Sequence, residues 1–472
     1  MSILDLIRPP EIKVNPASTA ILYNNEEITY RTINSLVNKT SYFLNEIAVK
    51  ENDIVTLLSS NSLEFIIILL SLWEIGAVPV PLNIKLSEKE LNEQVEFLKP
   101  QLSIKEKSLS HLSLQGKSIT FSLNDLPRSK NNITQKIFST DKTALILFTS
   151  GSSDKPKAVM LRFNNLIQSA LIGNKVLKQT NKDRWLASLP FYHIGGFSIV
   201  FRTLFFGASL IIPASLSNED LKDSINHHRP TLASLVSNQL KKFVDENFVP
   251  PDELKMVLLG GGFFDTDLIL KAITQGWKIA KVYGSTETSS FVSFMNTNEV
   301  RKKPEASGKA VQPNKIIITG DGEIAVESPA VMKGYYNNDK ETSSKLRDGF
   351  YYTGDIGHID EEGYLFVEAK RNDLIITGGE NVNPVEVEKA VLSHKNVSDV
   401  CIIGIQDKRW GQIISAAVVL KESSKLTEDE LKNFLKEKLA SFKIPKRIIF
   451  LTQLPKTELG KVLKENVKKL FT

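Results

Sequence analysis

The sequence predicts an α/β protein with a large N-terminal domain of layered α/β subdomains plus a β-rich subdomain, followed by a small α+β C-terminal domain. Three observations predict it. The chain has 472 residues, more than one ordinary core requires, so it divides into several structural units. Short β-branched apolar runs alternate with amphipathic stretches through most of its length, the pattern of helices laid over a largely parallel sheet. From Gly322 onward, short strands and turns replace that alternation.

Each element has its own warrant. The N-terminus, Met1 to Pro10, has no basic region followed by a long apolar one, so no signal peptide is expected. The most apolar stretch, Phe65 to Trp73, lies between Glu64 and Glu74; it is too short to span a bilayer and reads as a buried helix. Gln101 to Asn132 is polar, Ser- and Lys-rich and weakly periodic, which reads as a surface region. Thr143 to Phe148, Ser209 to Ile212, Met256 to Leu259 and Ile279 to Tyr283 read as buried strands, with helices over Asn164 to Leu177 and Asp265 to Gln275. Glu323 to Glu327, Gly349 to Tyr352 and Tyr364 to Glu368 read as the strands of the β-rich part. Pro384 then starts a helix over Val385 to Leu392. Val397 to Ile405 and Ile413 to Leu420 follow as strands. Thr427, with Glu430 behind it, caps a helix running to about Leu439. The boundary is expected at Lys370 to Asp373, giving domains 1–371 and 372–472.

Composition narrows the function classes. Apolar residues make up 42% and charged residues 24%, ordinary for a globular protein. Lys and Arg number 59 against 54 Asp and Glu, a net +5. That excess favours small anions such as nucleotides and is too weak to argue for nucleic acid. Cys401, the single cysteine, excludes an internal disulfide and lies in the apolar run Val400 to Ile403, where a thiol packs inertly. His227 and His228 read as charges at a helix C-terminus, with no third ligand at metal-binding spacing. The expected compartment is the cytoplasm, with no membrane span.

Several motifs carry chemistry. Thr149-Ser150-Gly151-Ser152-Ser153-Asp154-Lys155-Pro156-Lys157 ends a buried strand in hydroxyls, a glycine and two lysines. Such a turn can wrap phosphate oxygens, or it is a Ser-rich surface turn; no Gly-Lys-Ser/Thr makes it a Walker A loop. Tyr283-Gly284-Ser285-Thr286-Glu287-Thr288 brings together an aromatic for a base, a glycine for close approach and a carboxylate for a hard cation. Gly260-Gly261-Gly262 suits a flat ligand against backbone, or a flexible turn. Tyr352-Thr353-Gly354-Asp355 offers a carboxylate for two hydroxyls. Pro455-Lys456-Thr457-Glu458-Leu459-Gly460-Lys461 presents a mobile point charge, or a solvated basic tail.

Together, and in this order, these motifs resemble the adenylate-forming superfamily of acyl-CoA synthetases, luciferases and peptide-synthetase adenylation domains. The resemblance also takes in Leu69 to Asn83, Pro190-Phe191-Tyr192-His193 and Asp373 to Glu388. It implies an acid–thiol ligase that uses ATP, Mg²⁺ and coenzyme A on a small carboxylic acid, through an acyl-adenylate. It makes the C-terminal domain a lid on a hinge. Residue by residue, it implies that Thr149, Ser150, Gly151, Ser152, Ser153 and Lys157 clasp the β- and γ-phosphates. Gly260, Gly261, Gly262 and Tyr283 border adenine, with Gly284 and Ser285 beside nucleotide and acid. Thr286 contacts the α-phosphate and Glu287 binds Mg²⁺. Asp355 holds the ribose, aided by Lys370 or Arg371. Lys461 bridges the carboxylate and the α-phosphate. Asn372 or Asp373 is the hinge, and Gly378, Gly379 and Glu380 face the thiol tunnel.

Two departures stand out: many relatives have Gly where Asp154 and Ala158 stand, and Lys370 occupies the place of a ribose-binding Arg. His193 and the helix after it flank the acyl pocket by the same resemblance. Within that helix Arg202 is a lone charge among Ser198 to Phe206; it either snorkels outward or meets an anion. A second carboxylate on the acid supplies that anion, as in the o-succinylbenzoate–CoA ligases this pattern resembles. The expected acid is therefore 2-succinylbenzoate. A ligase for another aromatic or medium-chain acid shares every nucleotide motif. An amino-acid-activating domain lacks its usual Asp here, and a non-catalytic relative is expected to lose Glu287 or Lys461. The oligomeric state is open, a homodimer being one outcome.

Overall fold

The computed structural model describes residues 8–24, 26–126, 139–149, 157–262, 265–370, 375–377, 380–407, 410–439, 441–457 and 460–471. It divides into two compact units, one of residues 1–315 with 326–351 and one of residues 316–325 with 352–472.

The first unit holds the expected layers. Its nine-stranded sheet runs in the order Lys309–Ala310, Ser293–Met295, Ile279–Tyr283, Met256–Leu259, Leu232–Leu235, Arg184–Leu186, Ser209–Ile212, Thr19–Tyr23, Glu26–Thr29. The central pairs are parallel and the outer ones antiparallel. This parallel centre is why its strands read as continuous apolar runs. Helices Phe163–Leu177 and Thr266–Thr274 lie where the periodicity places them, the latter capped by Asp265 accepting from Asp267 N. The apolar run forms helix Leu63–Ile75, capped by Ser62, stopped by Gly76 and buried along its length except at Glu64 and Glu74. Trp73 fixes it by donating Nε1–H to Ala144 O at 2.7 Å. No helix of the described residues is long and apolar enough to cross a membrane.

One expectation is corrected here. Residues 101–126 are not simply a surface region: Leu102–Glu106 is a largely buried strand between Ile54–Leu58 and Ser118–Phe121 in a four-stranded parallel sheet. Its polar residues mislead because each is satisfied locally. Ser103 accepts from Thr56 Oγ1 at 2.7 Å. Lys105, buried to 7% exposure, donates to the carbonyls of Ser110 and Leu112 at 3.2 and 2.6 Å.

The strand Phe350–Ile359, which belongs to the second unit from Tyr352 on, pairs antiparallel with Leu365–Lys370, with Asp355 opposite Lys370. A five-stranded sheet follows, ordered Glu380–Val382, Ile375–Thr377, Gly411–Leu420, Val397–Asp407, with Arg447–Leu451 parallel to Gly411–Leu420. Helices Pro384–Leu392 and Glu428–Lys436 supply Val387, Val391, Leu431 and Leu435 to its core. Thr427 and Glu430 form the expected capping box. Cys401 is buried.

Candidate active site

In the first unit, the strand Thr143–Thr149 and the strand Lys157–Arg162 pair antiparallel, so Thr149 and Lys157 stand opposite each other and bracket the serine-rich motif. Ser150, Gly151, Ser152, Ser153, Asp154, Lys155 and Pro156 lie outside the described residues. Lys157 forms an ion pair with Glu341 of helix Asp339–Lys345. Its Nζ also stands 5.5 Å from the ring centroid of Tyr335.

Strand Ile279–Tyr283 delivers the second motif, which turns at once into a short 3-10 helix, Thr286–Thr288. Gly284 is required by packing: a Cβ there would sit 2.3 Å from Ser290 O. The turn is closed by Ser285 N–H donating to Thr288 Oγ1 at 2.8 Å and by Ser290 N–H donating to Ser285 O at 2.9 Å. Glu287 is thereby held at 9% exposure. Its backbone carbonyl accepts from Met332 N at 2.7 Å, and its Oε1 accepts from the Tyr335 hydroxyl at 3.1 Å. No donor among the described residues holds its second oxygen.

No group of three or more His, Cys, Asp or Glu side chains among the described residues could hold a metal ion. A lone carboxylate can still serve a cation whose remaining ligands are oxygens of a substrate or water. That is how Mg²⁺ binds beside phosphates, and Glu287 fits it. Parallel pairing sets Gly260 beside this strand, at the end of Met256–Leu259. A Cβ built at Gly261 or Gly262 would meet nothing within 4 Å among the described residues, leaving room for a flat group against backbone.

His193 caps helix Ile194–Phe205 without a side-chain capping bond, its ring 4.8 Å from that of Tyr192. Burial pushes the imidazole down from 6.5 to about 4, so it is neutral at neutral pH. Gly196 lets the helix start closely on the preceding turn, since a Cβ would lie 2.1 Å from Pro190 O. The helix is apolar on nearly all sides, and Arg202 is buried with it at 3% exposure, so it does not snorkel. Its Nε donates to Ser198 O at 3.1 Å, while Nη1 is enclosed with no partner among the described residues. The guanidinium carbon stands 5.1 Å from the Trp185 ring centroid and 5.6 Å from that of Phe291. Burial lowers its pKa from 12.5 to about 10, which leaves it charged at neutral pH. Trp185 Nε1, Thr203 Oγ1 and Ser285 Oγ are also buried and unpartnered among the described residues. An uncompensated cation is costly in so apolar a setting, and an anion would remove that cost.

In the second unit, the strand expected over Gly349 to Tyr352 runs on as Phe350–Ile359, so Tyr352-Thr353-Gly354-Asp355 lies inside it. Thr353 Oγ1 donates to Ile324 O at 2.8 Å, and Glu323 Oε1 accepts from Gly354 N at 2.8 Å. These bonds hold the segment extended and leave Asp355 buried at 9% exposure. Lys461 closes a turn in which Thr457 N donates to Lys461 O at 2.7 Å and Gly460 takes φ +78°; its side chain is exposed. Arg371, Asn372, Asp373, Gly378 and Gly379 lie outside the described residues, as do the side chains of Lys370 and Glu380.

Sequence reasoning missed Tyr335, Glu341, Trp185 and Phe291. The first had a faint signal, since Gly334-Tyr335-Tyr336 repeats the glycine–aromatic pattern of the motifs singled out. The others become visible only through long-range packing.

Residues 11–336 match the model of the AMP-binding enzyme family, and residues 386–461 that of the AMP-binding enzyme C-terminal domain. A 2-succinylbenzoate–CoA ligase of Bacillus thuringiensis subsp. konkukian is 31% identical over 97% of this chain and 96% of its own length. The o-succinylbenzoate CoA synthetase of Bacillus subtilis in complex with its acyl-adenylate intermediate superposes with a TM-score of 0.89. It is 30% identical, covering 98% of this chain and 97% of its own. The same enzyme with ATP and magnesium ion also gives a TM-score of 0.89 at 30% identity, over 98% of each chain.

Proposed function

From the premise that this chain belongs to the AMP-binding enzyme family, we propose that it is the ATP-dependent ligase that converts 2-succinylbenzoate to 2-succinylbenzoyl-CoA in menaquinone synthesis. The observation that carries the substrate is Arg202, a buried guanidinium beside Trp185 and Phe291 with one nitrogen unpartnered among the described residues. It suits an acid with two carboxylates, one to be activated and one to be held.

The reaction has two halves. A carboxylate oxygen of the acid attacks the α-phosphorus of ATP, forming the mixed anhydride and releasing pyrophosphate. The thiol of CoA then attacks the acyl carbon, and AMP leaves with the bond pair. Arg202 binds the carboxylate that does not react. The neutral His193 imidazole orients or gates the acid at the start of its helix. Thr149, Ser150, Gly151, Ser152, Ser153 and Lys157 would hold the β- and γ-phosphates, Thr286 the α-phosphate, and Glu287 a Mg²⁺ that would supply charge stabilisation for the pyrophosphate group. Gly260 to Gly262 and Tyr283 border the adenine, with Gly284 and Ser285 between nucleotide and acid. Asp355 takes the ribose hydroxyls, with Lys370 or Arg371 beside it. Lys461 joins the reacting carboxylate to the α-phosphate in the first half only. A pivot at Asn372 or Asp373, where domain 1–371 would meet lid 372–472, would then turn Gly378, Gly379 and Glu380 toward the thiol. This reading assigns the protein to the cytoplasm, gives it no nucleic-acid partner and admits a homodimer.

The test is ATP-dependent pyrophosphate release with 2-succinylbenzoate, benzoate, octanoate and mixed amino acids, each with and without CoA. Release with 2-succinylbenzoate and a CoA thioester product is expected. Release with octanoate or benzoate instead would keep the ligase chemistry and remove the substrate assignment.

A further inference from the structure

Tyr335 stands where three segments of the first unit meet. It belongs to the short strand Gly334–Tyr335, which pairs antiparallel with Lys157–Arg162 so that Tyr335 faces Val159. Its backbone N donates to Thr342 Oγ1 at 2.9 Å, in the helix that also carries Glu341. The residue is 3% exposed. Its hydroxyl donates to Glu287 Oε1 at 3.1 Å and is hydrogen-bonded in turn to Tyr351. Its ring lies under the Lys157 ammonium, 5.5 Å from centroid to Nζ.

We infer that Tyr335 is a positioning residue for adenylation, its hydroxyl orienting the Glu287 carboxylate for the cation and its ring supporting Lys157 for the phosphates. The inference rests on the assignment of Glu287 to Mg²⁺ made above. A carboxylate held by one donor loses its terminal rotation and presents its other oxygen in a fixed direction. Outer partners of this kind tune the affinity of the metal ligands they hold. The ring adds a soft attraction for an ammonium otherwise fixed only by its ion pair with Glu341. A tyrosine kept only to fill the core would need neither contact, and phenylalanine would replace it without consequence.

That contrast sets the experiment. Calorimetric titration of ATP, without acid so that no turnover occurs, is repeated across a Mg²⁺ series for the wild type, Tyr335→Phe, Tyr335→Leu and Glu287→Gln, with a melting temperature for each. Tyr335→Phe is expected to raise the Mg²⁺ concentration needed for half-maximal ATP affinity by about tenfold, the lower end of the effect of losing such a partner, with Mg²⁺-free affinity unchanged. Tyr335→Leu should in addition weaken the Mg²⁺-free affinity several-fold, through Lys157. Should Tyr335→Phe fold poorly, Tyr351→Phe removes the next hydrogen bond in the chain and should shift the Mg²⁺ dependence the same way by less. Wild-type Mg²⁺ dependence in Tyr335→Phe, beside a lost dependence in Glu287→Gln, overturns the positioning role alone. Wild-type dependence in Glu287→Gln overturns the metal assignment and this inference with it.

Discussion

Within the first unit, the two ends of the candidate site are built on opposite electrostatic plans. At the phosphate end the charged groups answer one another: Lys157 is paired with Glu341, and Glu287 accepts from Tyr335. At the acid end, Arg202 is buried against aromatic rings with Nη1 unpartnered among the described residues. On the proposed roles, the difference puts specificity at the acid end. A region whose groups are already paired exchanges one partner for another when ligand arrives, so it discriminates little. A buried unpaired cation penalises every state except the one in which an anion reaches it.

The strongest way to break the comparison is at the phosphate end. Glu287→Gln keeps the shape and removes the charge, and should slow pyrophosphate release by about 100- to 1,000-fold, the range for losing one preorganised electrostatic group. The KM for the acid should stay near wild type, because Arg202 is untouched; a large rise in that KM would mean the two ends are not separate.

Arg202→Met tests the other end. The acid's KM should rise by roughly 100-fold, in line with about 3 kcal/mol for a lost buried charged pair. Stability should hold or improve, since exchanging a buried ion for an apolar side chain is often neutral to stabilising. A clear fall in melting temperature would mean that the guanidinium is paired in the free protein.

Glu341→Gln sharpens the contrast with a smaller effect. Lys157 would no longer have to leave a carboxylate to meet a phosphate, so the KM for ATP should fall roughly two- to fivefold, the worth of a partly exposed pair. An unchanged KM would show that the pair does not compete with nucleotide.

The mildest effect concerns His193 and pH. Its folded pKa lies below the unfolded value, so between pH 6.5 and about 4 the unfolded chain binds a proton that the folded imidazole refuses. Stability is therefore full above pH 6.5 and declines as the pH falls through that window. Urea denaturation of His193→Asn should show a flatter decline over the same range.

The two ends also differ in how far the sequence disclosed them. Ile279–Tyr283 and Met256–Leu259 are short, mainly apolar runs whose boundaries match the structure; a lysine precedes each and a glycine follows each. Glu287 and Arg202 were legible as residues, one through its motif and the other as a charge in an apolar helix. What surrounds them was not. Tyr335 meets Glu287 across 48 positions, and Arg202 lies between Trp185 and Phe291, separations that no local pattern encodes. The strand Leu102–Glu106 was hidden for a related reason: its Ser and Lys side chains find their partners inside the fold.

The most direct test of the account is the ratio of kcat/KM for 2-succinylbenzoate to that for benzoate, measured by pyrophosphate release in the wild type and in Arg202→Met. The account predicts a strong preference for 2-succinylbenzoate in the wild type that collapses in the variant, both enzymes keeping the same KM for ATP. Undiminished turnover of 2-succinylbenzoate by Arg202→Met would contradict it.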